Sequence, residues 1–310
     1  MDQENSTHRV EIVPVKLETH PNADSLSIVR VFDGYTVCVR TSDWEGKELG
    51  AYVPPDSIYE GKRIKVKKLR GVPSMGMLLP APIGSNVGDD VASLLGVTHY
   101  NPPEPLSSGG DEAQAPKGYR PVYDVESLRR YAKLFEEGEP IWITEKIHGA
   151  NARYCFSDGE MHAGSRTTWK KKDYSNQWWK ALKNHPEVEE FCRENPDITV
   201  YGEVYGQVQD LKYGCGQSEV HIAVFDLLRN GEWISPQEAR LVGWELPWVP
   251  YIGIREFNLK EILALAERDT LVEGASHIAE GIVIKPLVER TDHEVGRVCM
   301  KVVSNQYLER

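Results

Sequence analysis

The sequence lacks the features that define several large classes of protein. Its five cysteines (Cys38, Cys155, Cys192, Cys215 and Cys299) are scattered and form no Cys-x-x-Cys pair. This pattern favours free thiols in a reducing compartment over a disulfide framework or a zinc site. The N-terminus is polar, and no apolar run is as long as the roughly 18 residues of a membrane-spanning helix. We therefore expect a cytoplasmic protein with no membrane partner.

The sequence also lacks an excess of positive charge. Its formal net charge is -11, which argues mildly against a protein whose whole surface binds nucleic acid. A nucleic-acid partner is still compatible with this charge, because only a local basic surface is needed to contact phosphates. Hydrophobic residues make up 40% of the 310-residue chain. The chain can therefore bury a sizeable core, and its length favours two domains.

Short strands dominate the first part of the chain. Between residues 9 and 98, apolar or alternating segments are separated by Gly, Pro, Asn and Asp, as in a small β-barrel. We expect an N-terminal β-barrel of the OB-fold type over residues 1–100. Residues 101–118 are rich in Pro, Gly, Ser and acidic residues, and this composition predicts a flexible linker. Residues 119–310 then form the second domain.

The second domain is predicted to have an α+β fold. Asp124 has the character of an N-cap, and Gly138 stands where a helix should end. Strand-like segments then alternate with helical stretches near residues 174–193 and 258–268, which indicates antiparallel sheets flanked by helices. The apolar residues at helical spacing in the first helix are Val125, Leu128, Ala132 and Phe135.

The densest chemical pattern is the segment Thr144–Asn151, which reads TEKIHGAN. Its lysine, Lys146, directly follows an apolar strand. A lone lysine at a strand end usually extends its charge into solvent. A nucleophilic lysine must instead lose its proton, which requires burial and nearby positive charge or metal to lower the pKa from about 10.4 to about 7–8. A neutral amine there can attack an α-phosphate and form a covalent intermediate.

Further segments with charged or aromatic residues follow in a fixed order. Each one alone is more simply explained as a surface or core feature, and their joint occurrence in this order is the informative observation. They are Ser165-Arg166-Thr167, Tyr201-Gly202-Glu203, Phe225-Asp226, the run from Glu280 to Lys285, and Met300-Lys301-Val302.

This order resembles the covalent nucleotidyltransferase superfamily of RNA ligases, DNA ligases and mRNA capping enzymes. The superfamily core carries KxxG, SR, GE, FD and EGxVxK motifs and a terminal lysine strand. The likeness covers roughly residues 120–310. It is strongest to the RNA ligase 2 branch, for which a TEKIHG segment with a following Asn is typical.

The resemblance implies a role for each matching residue. Lys146 is implied to be the nucleophile that ATP adenylates. Residues implied to contact the nucleotide or the RNA end are Glu145 (adenine edge), Phe225 (adenine face), Glu203 (ribose hydroxyls or metal-bound water), Arg166 and Asn151 (phosphate or RNA end), and Lys285 and Lys301 (ATP phosphates). Residues implied to hold a divalent metal, Mg²⁺ or Mn²⁺, are Glu203 and Glu280.

Two departures from the superfamily pattern concern the metal and the phosphates. His148 stands where many members have an aspartate that helps to hold the metal's water shell. The last motif often has two lysines, whereas Cys299-Met300-Lys301 has one.

Two basic segments are candidate RNA-binding surfaces. The first domain resembles tRNA-binding OB modules over Leu17–Asp24, and a basic run follows it: Lys62, Arg63, Lys65, Lys67, Lys68 and Arg70. That run reads equally as a solvated edge strand or as a surface for RNA phosphates. Trp169–Lys172 with Trp178 and Trp179 mixes cations and aromatics, although the two tryptophans are also plausible core residues.

The predicted function is an ATP-dependent RNA ligase that joins a 3′-OH to a 5′-phosphate, with a nicked duplex as substrate and a monomeric chain. An OB module before the core resembles the ligase type found in Deinococcus and Naegleria. One alternative is a DNA ligase or capping enzyme. These usually carry an OB domain behind the core, and little sequence follows Lys301. The other alternative is an RNA- or tRNA-binding protein with an inactive ligase core.

Overall fold

The computed structural model describes residues 8–100 and 111–310. The chain divides into two compact units. The first contains residues 1–104, 128–132 and 308–310, and the second contains residues 105–127 and 133–307. Within the described ranges, no helix has the length and apolar character needed to cross a membrane.

The first unit is built from small antiparallel sheets. Hydrophobic side chains such as Val29, Val37 and Tyr52 point between these sheets and form its core. Its elements are β1 (Glu11–Pro14), β2 (Glu18–Thr19), β3 (Leu26–Val31), β4 (Tyr35–Arg40), α1 (Thr41–Trp44), β5 (Leu49–Val53), β6 (Ser57–Tyr59), β7 (Lys62–Arg63), β8 (Lys67–Leu69), β9 (Val72–Ser74), β10 (Met77–Pro80), β11 (Thr98–His99) and α2 (Leu128–Tyr131). The strand orders of its sheets are β1-β5-β10, β2-β3-β4, β11-β6-β7 and β8-β9. The small sheets agree with the predicted all-β character, while the OB-fold itself stays a prediction.

Helix α2 belongs to the first unit although it lies far along the chain. Arg129 Nη1 donates a hydrogen bond to the Gly34 carbonyl at 3.1 Å, and Arg130 Nη2 lies 2.6 Å from Glu11 Oε2. Gly34 leaves no space for a side chain, because a Cβ there would lie 2.4 Å from the Arg129 backbone. Residue 119, the predicted start of the second domain, therefore does not separate the two units cleanly.

The helix predicted to begin after Asp124 is much shorter than expected. Residues Glu126–Ser127 form a strand, β13, that pairs in parallel with the last strand of the chain. Only α2 and a 3-10 helix over Ala132–Leu134 follow. Asp124 does not cap a helix; its carboxylate pairs with Arg166 Nη1 at 2.6 Å. The pairing of β13 overrides the helical spacing of the apolar residues.

Part of the predicted linker has regular structure. Residues 101–110 lie outside the described residues, but Glu112–Ala113 form a short strand, β12. It pairs antiparallel with Trp169–Lys170 at the edge of a sheet in the second unit. The flexible linker predicted over residues 101–118 is therefore wrong for this strand, because its backbone is hydrogen-bonded.

The second unit contains two large sheets. Besides β12 and β13, its strands are β14 (Pro140–Lys146), β15 (Ala150–Ser157), β16 (Glu160–Gly164), β17 (Trp169–Lys170), β18 (Ile198–Gly206), β19 (Val220–Arg229), β20 (Glu232–Trp233), β21 (Tyr251–Glu256), β22 (Gly281–Pro286), β23 (Thr291–Asp292), β24 (Gly296–Arg297) and β25 (Met300–Val303). The strand orders of the two large sheets are β12-β17-β16-β15-β18-β19-β20 and β13-β25-β22-β14-β21. The paired strands are antiparallel except β13 with β25, which confirms the predicted α+β fold of antiparallel sheets and helices.

Helices cover one face of the seven-stranded sheet. Trp178, Trp179 and Leu182 of α3, and Val188 and Cys192 of α4, join the main core of the second unit. The apolar positions on α3 and α4 recur at helical spacing, which explains why this stretch was predictable. The helices are α3 (Gln177–Asn184), α4 (Pro186–Glu194), α5 (Pro236–Val242), α6 (Leu259–Leu265) and α7 (Asn305–Leu308).

The chain passes from one large sheet to the other within three residues. Strand β14 of the five-stranded sheet ends at Lys146, and β15 of the seven-stranded sheet begins at Ala150. Residues 147–149 make the connection. Side chains at the ends of β14 and β15 therefore lie where the two sheets meet.

Candidate active site

A cavity of about 220 Å³ opens where the two sheets of the second unit meet. It brings together eight of the nine residues predicted to act on the nucleotide or metal. The ninth, Glu280, is paired with Lys146. The predicted residues that line the cavity are Glu145, Lys146, Asn151, Arg166, Glu203, Phe225, Lys285 and Lys301.

Lys146 forms an ion pair at the cavity wall. Its Nζ lies 2.8 Å from Glu280 Oε1. Burial alone would lower the pKa of Lys146, but the negative charges of Glu280 and Glu203 outweigh burial and raise it above its ordinary value. Burial alone therefore does not lower the pKa of Lys146, and the positive charge or metal expected from the sequence would still be needed. Two carboxylates hold the lysine in its charged form.

The two carboxylates differ in their own protonation. Burial raises the pKa of Glu203 to about 7. Burial would also raise the pKa of Glu280, but Lys146 and His148 hold it below its ordinary value. Among the described residues, Glu280 Oε2 and Asn151 Oδ1 are buried oxygens without a hydrogen-bond partner. Buried oxygens of this kind fit a bound cation or an external donor.

Two backbone segments approach each other so closely at position 149, the last residue of the KxxG motif, that only glycine fits there. A Cβ at this position would lie 2.1 Å from the Val204 carbonyl oxygen and 3.0 Å from Glu203 Cγ. On the other side of the turn, Asn151 is in register with Glu203 on β18. The glycine therefore lets the lysine turn pack directly on the strand that carries Glu203.

Asp226 is the centre of a buried polar cluster behind the cavity. Its carboxylate accepts hydrogen bonds from Tyr123 Oη at 2.5 Å, Lys285 Nζ at 2.7 Å and Arg297 Nη1 at 2.6 Å. Burial alone would raise the pKa of Asp226, but Arg297 and Lys285 hold it below its ordinary value. Lys285 also donates to the Phe225 carbonyl at 2.8 Å. The cluster therefore fixes both Lys285 and the strand that carries Phe225.

Lys301 is the second late-strand lysine at the cavity. Burial and the nearby charge of Lys146 lower its pKa. It is in register with Val283 on β22 and with Ser127 on β13. Lys301 lies near Lys146 and gives the cavity, after Lys285, a second late-strand cation that could contact a phosphate.

The remaining predicted residues shape the cavity in different ways. Glu145 is buried, and its carboxylate accepts hydrogen bonds from Thr270 Oγ1 at 2.5 Å and from the Leu271 backbone N–H at 2.7 Å. Burial raises its pKa. Phe225 packs on Tyr123 with ring centroids 4.5 Å apart. Arg166 is held at the cavity edge by the ion pair with Asp124.

The RNA ligase family model matches residues 139–303. These residues contain Lys146, both acids and both late lysines. The chain belongs to the RNA ligase family. This match does not favour the DNA ligase, capping-enzyme or binding-protein alternatives. A search of curated proteins found no match.

Solved structures of RNA ligase from Naegleria gruberi are similar in fold. An apo mutant of that enzyme has 22% identity and a TM-score of 0.81, and the alignment covers 98% of each chain. A mutant with ATP and Mn has 22% identity and a TM-score of 0.81, with 96% of this chain and 97% of that chain covered. The shared fold therefore extends over both compact units of this RNA ligase.

His148 is held by residues that the sequence did not reveal. Its Nε2 lies 2.7 Å from Asp210 Oδ1, and its backbone N–H donates to Tyr213 Oη at 2.7 Å. Tyr307 Oη lies 3.2 Å from its Nδ1. Asp210 and Tyr213 come from the loop between β18 and β19, which carries no motif. The sequence placed Asp226 in the FD motif but did not reveal its partners Tyr123, Lys285 and Arg297, which lie far away in sequence.

The two candidate RNA-binding surfaces differ in how far their side chains are exposed. The aromatic part of the Trp169–Lys172 patch is core: Trp178 and Trp179 are buried, and Lys170 is 3% exposed with its Nζ over the Trp178 ring. The four lysines predicted to bind RNA, Lys62, Lys65, Lys67 and Lys68, are exposed on the first unit.

We predict that Gly149→Ala lowers the rate of lysine adenylation by about 10²-fold or more, because the added methyl must displace the lysine turn from β18 and small misplacements cost this much. Radioactive AMP transfer from ATP to the protein measures the rate. Gly159→Asn is the control, because the turn before β16 has open space and a φ of +81° that Asn tolerates. Equal rates for Gly149→Ala and wild type would refute the close-approach argument.

We predict that Asp226→Asn destabilises the protein by about 3–5 kcal/mol, because it leaves Lys285 buried without its charge partner and removes one of the two carboxylates that pair with Arg297. Since the pKa of Asp226 is lowered by folding, its contribution is present at neutral pH and is lost only as pH falls below about 4. Urea unfolding at pH 7 and pH 3.5 measures both effects. The control Asp158→Asn removes an exposed pair with Lys117 and should change stability by less than about 1 kcal/mol.

Proposed function

We propose that this member of the RNA ligase family uses ATP to adenylate Lys146 and passes the AMP to an RNA 5′-phosphate. The single observation that carries the proposal is the position of Lys146. It ends β14 at a cavity wall, with two carboxylates and two further lysines around it. The Naegleria enzyme has been solved with ATP and with AMP, which supports ATP as the nucleotide here.

The reaction has three chemical steps. First, the neutral amine of Lys146 attacks the α-phosphate of ATP, so that an N–P bond forms and pyrophosphate leaves. Next, a 5′-phosphate oxygen of RNA attacks the same phosphorus and the lysine amine leaves. Finally, the RNA 3′-OH attacks the activated 5′-phosphate, and AMP leaves as the phosphodiester bond forms.

The cavity offers a partner for each part of the nucleotide. Phe225 presents an aromatic ring on which adenine can stack, and Glu145 lies at the same wall for its edge. Lys285 and Lys301 are assigned to the phosphates, where fixed cations stabilise charge that develops during transfer. Arg166 and Asn151 are assigned to the α-phosphate or the RNA end.

The residues present fit a divalent metal ion. We assign Glu203 and Glu280 to it, because Glu280 Oε2 is buried without a hydrogen bond, with His148 Nδ1 3.6 Å away, and hard cations such as Mg²⁺ and Mn²⁺ prefer carboxylate oxygen. The bound cation would add the positive charge needed to lower the pKa of Lys146. Mn occurs with the Naegleria enzyme, which supports a divalent requirement.

Membership of the RNA ligase family implies an RNA substrate. We propose a nicked duplex with 3′-OH and 5′-phosphate ends, bound by a monomer in the cytoplasm. The exposed lysines Lys62, Lys65, Lys67 and Lys68 are assigned to RNA phosphates. One of them, Lys68, also lies 3.3 Å from Glu309 within the first unit.

Lys146→Ala is expected to abolish transfer of labelled AMP from ATP to the protein, because no amine is left to attack. The variant should still seal RNA whose 5′ end is already adenylated, since that step needs no lysine nucleophile. Lys183→Ala removes an exposed lysine of α3 and is the control, with labelling equal to wild type. Persistent labelling of Lys146→Ala would overturn the assignment, and preferential labelling from GTP would favour a capping-type enzyme.

Neutralising Lys65, Lys67 and Lys68 together, each to Gln, is expected to weaken nick binding and flatten its salt dependence. Lysine adenylation should be unchanged. The control carries the same charge change at Lys16, Arg40 and Lys47, which are also exposed on the first unit. Binding to a nicked RNA duplex is measured between about 50 and 200 mM salt. Equal salt slopes for the two triple variants would show that the basic run is only a solvated edge. Point substitutions are preferable to deletion of residues 1–100, because deletion would remove the residues against which α2 packs.

A further inference from the structure

A second cluster of metal-ligand side chains lies outside the cavity. The thiol of Cys215, a carboxylate oxygen of Glu219 and a ring nitrogen of His221 all lie within 4.8 Å of one another. Cys215 and Glu219 belong to the loop between β18 and β19, and His221 is the second residue of β19. Within residues 8–100 and 111–310, no other group of three such side chains meets this spacing.

The three side chains have the chemistry of a zinc site. Thiolate, imidazole and carboxylate are the groups that bind Zn²⁺ in proteins, at about 2.3 Å for sulfur and about 2.0–2.2 Å for nitrogen and oxygen. Ligand atoms around such an ion lie roughly 3–4 Å apart. His221 Nε2 and Glu219 Oε1 are already 2.9 Å apart, and the Gly216 N–H donates to Glu219 Oε2 at 2.7 Å and holds the carboxylate beside the other two groups.

The surroundings of His221 provide a second, independent observation. Its other nitrogen, Nδ1, lies 3.2 Å from His185 Nε2, and His185 Nδ1 lies 2.7 Å from Glu187 Oε1. Metal-binding histidines are typically oriented in this way by a further hydrogen-bonding group. The chain from Glu187 through His185 to His221 would fix the ring of His221 for a ligand at Nε2.

We propose that Cys215, Glu219 and His221 bind a zinc ion, with His185 and Glu187 as positioning residues and solvent in a fourth position. Binding releases the thiol proton of Cys215 to solvent, and His221 binds the ion through an unprotonated Nε2. A thiolate and an imidazole in one site select Zn²⁺ over Mg²⁺.

The loop itself is arranged around Cys215. Gly206 closes β18 at a φ of +101°, and a Cβ there would lie 3.0 Å from Cys215 Sγ and 2.7 Å from the Glu219 carbonyl oxygen. The same loop supplies Asp210 and Tyr213 to His148. A zinc ion would therefore fasten the loop whose other end positions a residue beside Lys146.

Cobalt provides a direct test, because a thiolate bound to Co²⁺ absorbs in the near ultraviolet whereas carboxylate and imidazole ligands do not. The full chain, freed of metal by chelation, is titrated with Co²⁺ in excess Mg²⁺, which occupies oxygen-ligand sites. We expect a thiolate band that saturates at one equivalent and is abolished by added Zn²⁺. Cys215→Ser should lose the band, and Cys38→Ser, which changes a half-buried thiol of the first unit, should keep it. His185→Gln should weaken Co²⁺ binding by about 10- to 100-fold.

A second measurement uses the wild-type chain alone, in case a variant does not fold. Alkylation of Cys215 by iodoacetamide, followed by mass spectrometry, should slow severalfold when Zn²⁺ is added, while alkylation of Cys38 stays unchanged. A band of equal strength in Cys215→Ser, no thiolate band at one equivalent, or no protection of Cys215 would overturn the proposal. Neither measurement involves ATP or RNA, so the ligase activity is tested separately.

Discussion

The approach of Gly149 to the Val204 carbonyl determines where the two large sheets of this RNA ligase meet. Because no side chain stands between these backbones, β14 can end at Lys146 and β15 can begin only a few residues later on the other sheet. The short connection places Lys146 opposite the start of β22, next to Glu280, while the turn that follows it packs on the strand that carries Glu203. This contact therefore brings Lys146 and both acids to the same cavity.

The charged groups of the site fall into two parts. In one part a proton must leave during the proposed reaction, and in the other, fixed part the polar contacts are already made. Glu280 and Glu203 hold Lys146 in its charged form by raising its pKa above the ordinary value. In the proposed reaction, further positive charge beside the lysine would be needed to remove this proton. Asp226 and its three donors belong to the fixed part, because every polar atom there already has a partner and nothing needs to move.

The sequence predicted the fold class and the order of the site residues better than it predicted local boundaries. Alternating apolar residues and helical spacing were sufficient for the long strands and for α3, α4 and α6, since burial on one face leaves a visible period. The helix predicted after Asp124 was wrong because its first residues form β13, and the pairing of β13 with β25 depends on a strand far along the chain. The role of Asp226, although it stands in the FD motif, and the roles of Asp210 and the Cys215 cluster could not be predicted from spacing, because each depends on partners that only the folded chain brings together.

The fixed position of Lys285 limits how this residue can meet a nucleotide. An ammonium group has three hydrogens, and two of them are directed to the Asp226 carboxylate and the Phe225 carbonyl. One hydrogen is left, so Lys285 can serve a single phosphate oxygen along one direction without giving up either contact. If Lys285 binds the triphosphate as proposed, one phosphate oxygen must therefore lie along that direction, and an arginine, with its planar fork of N–H donors, would not impose the same restriction.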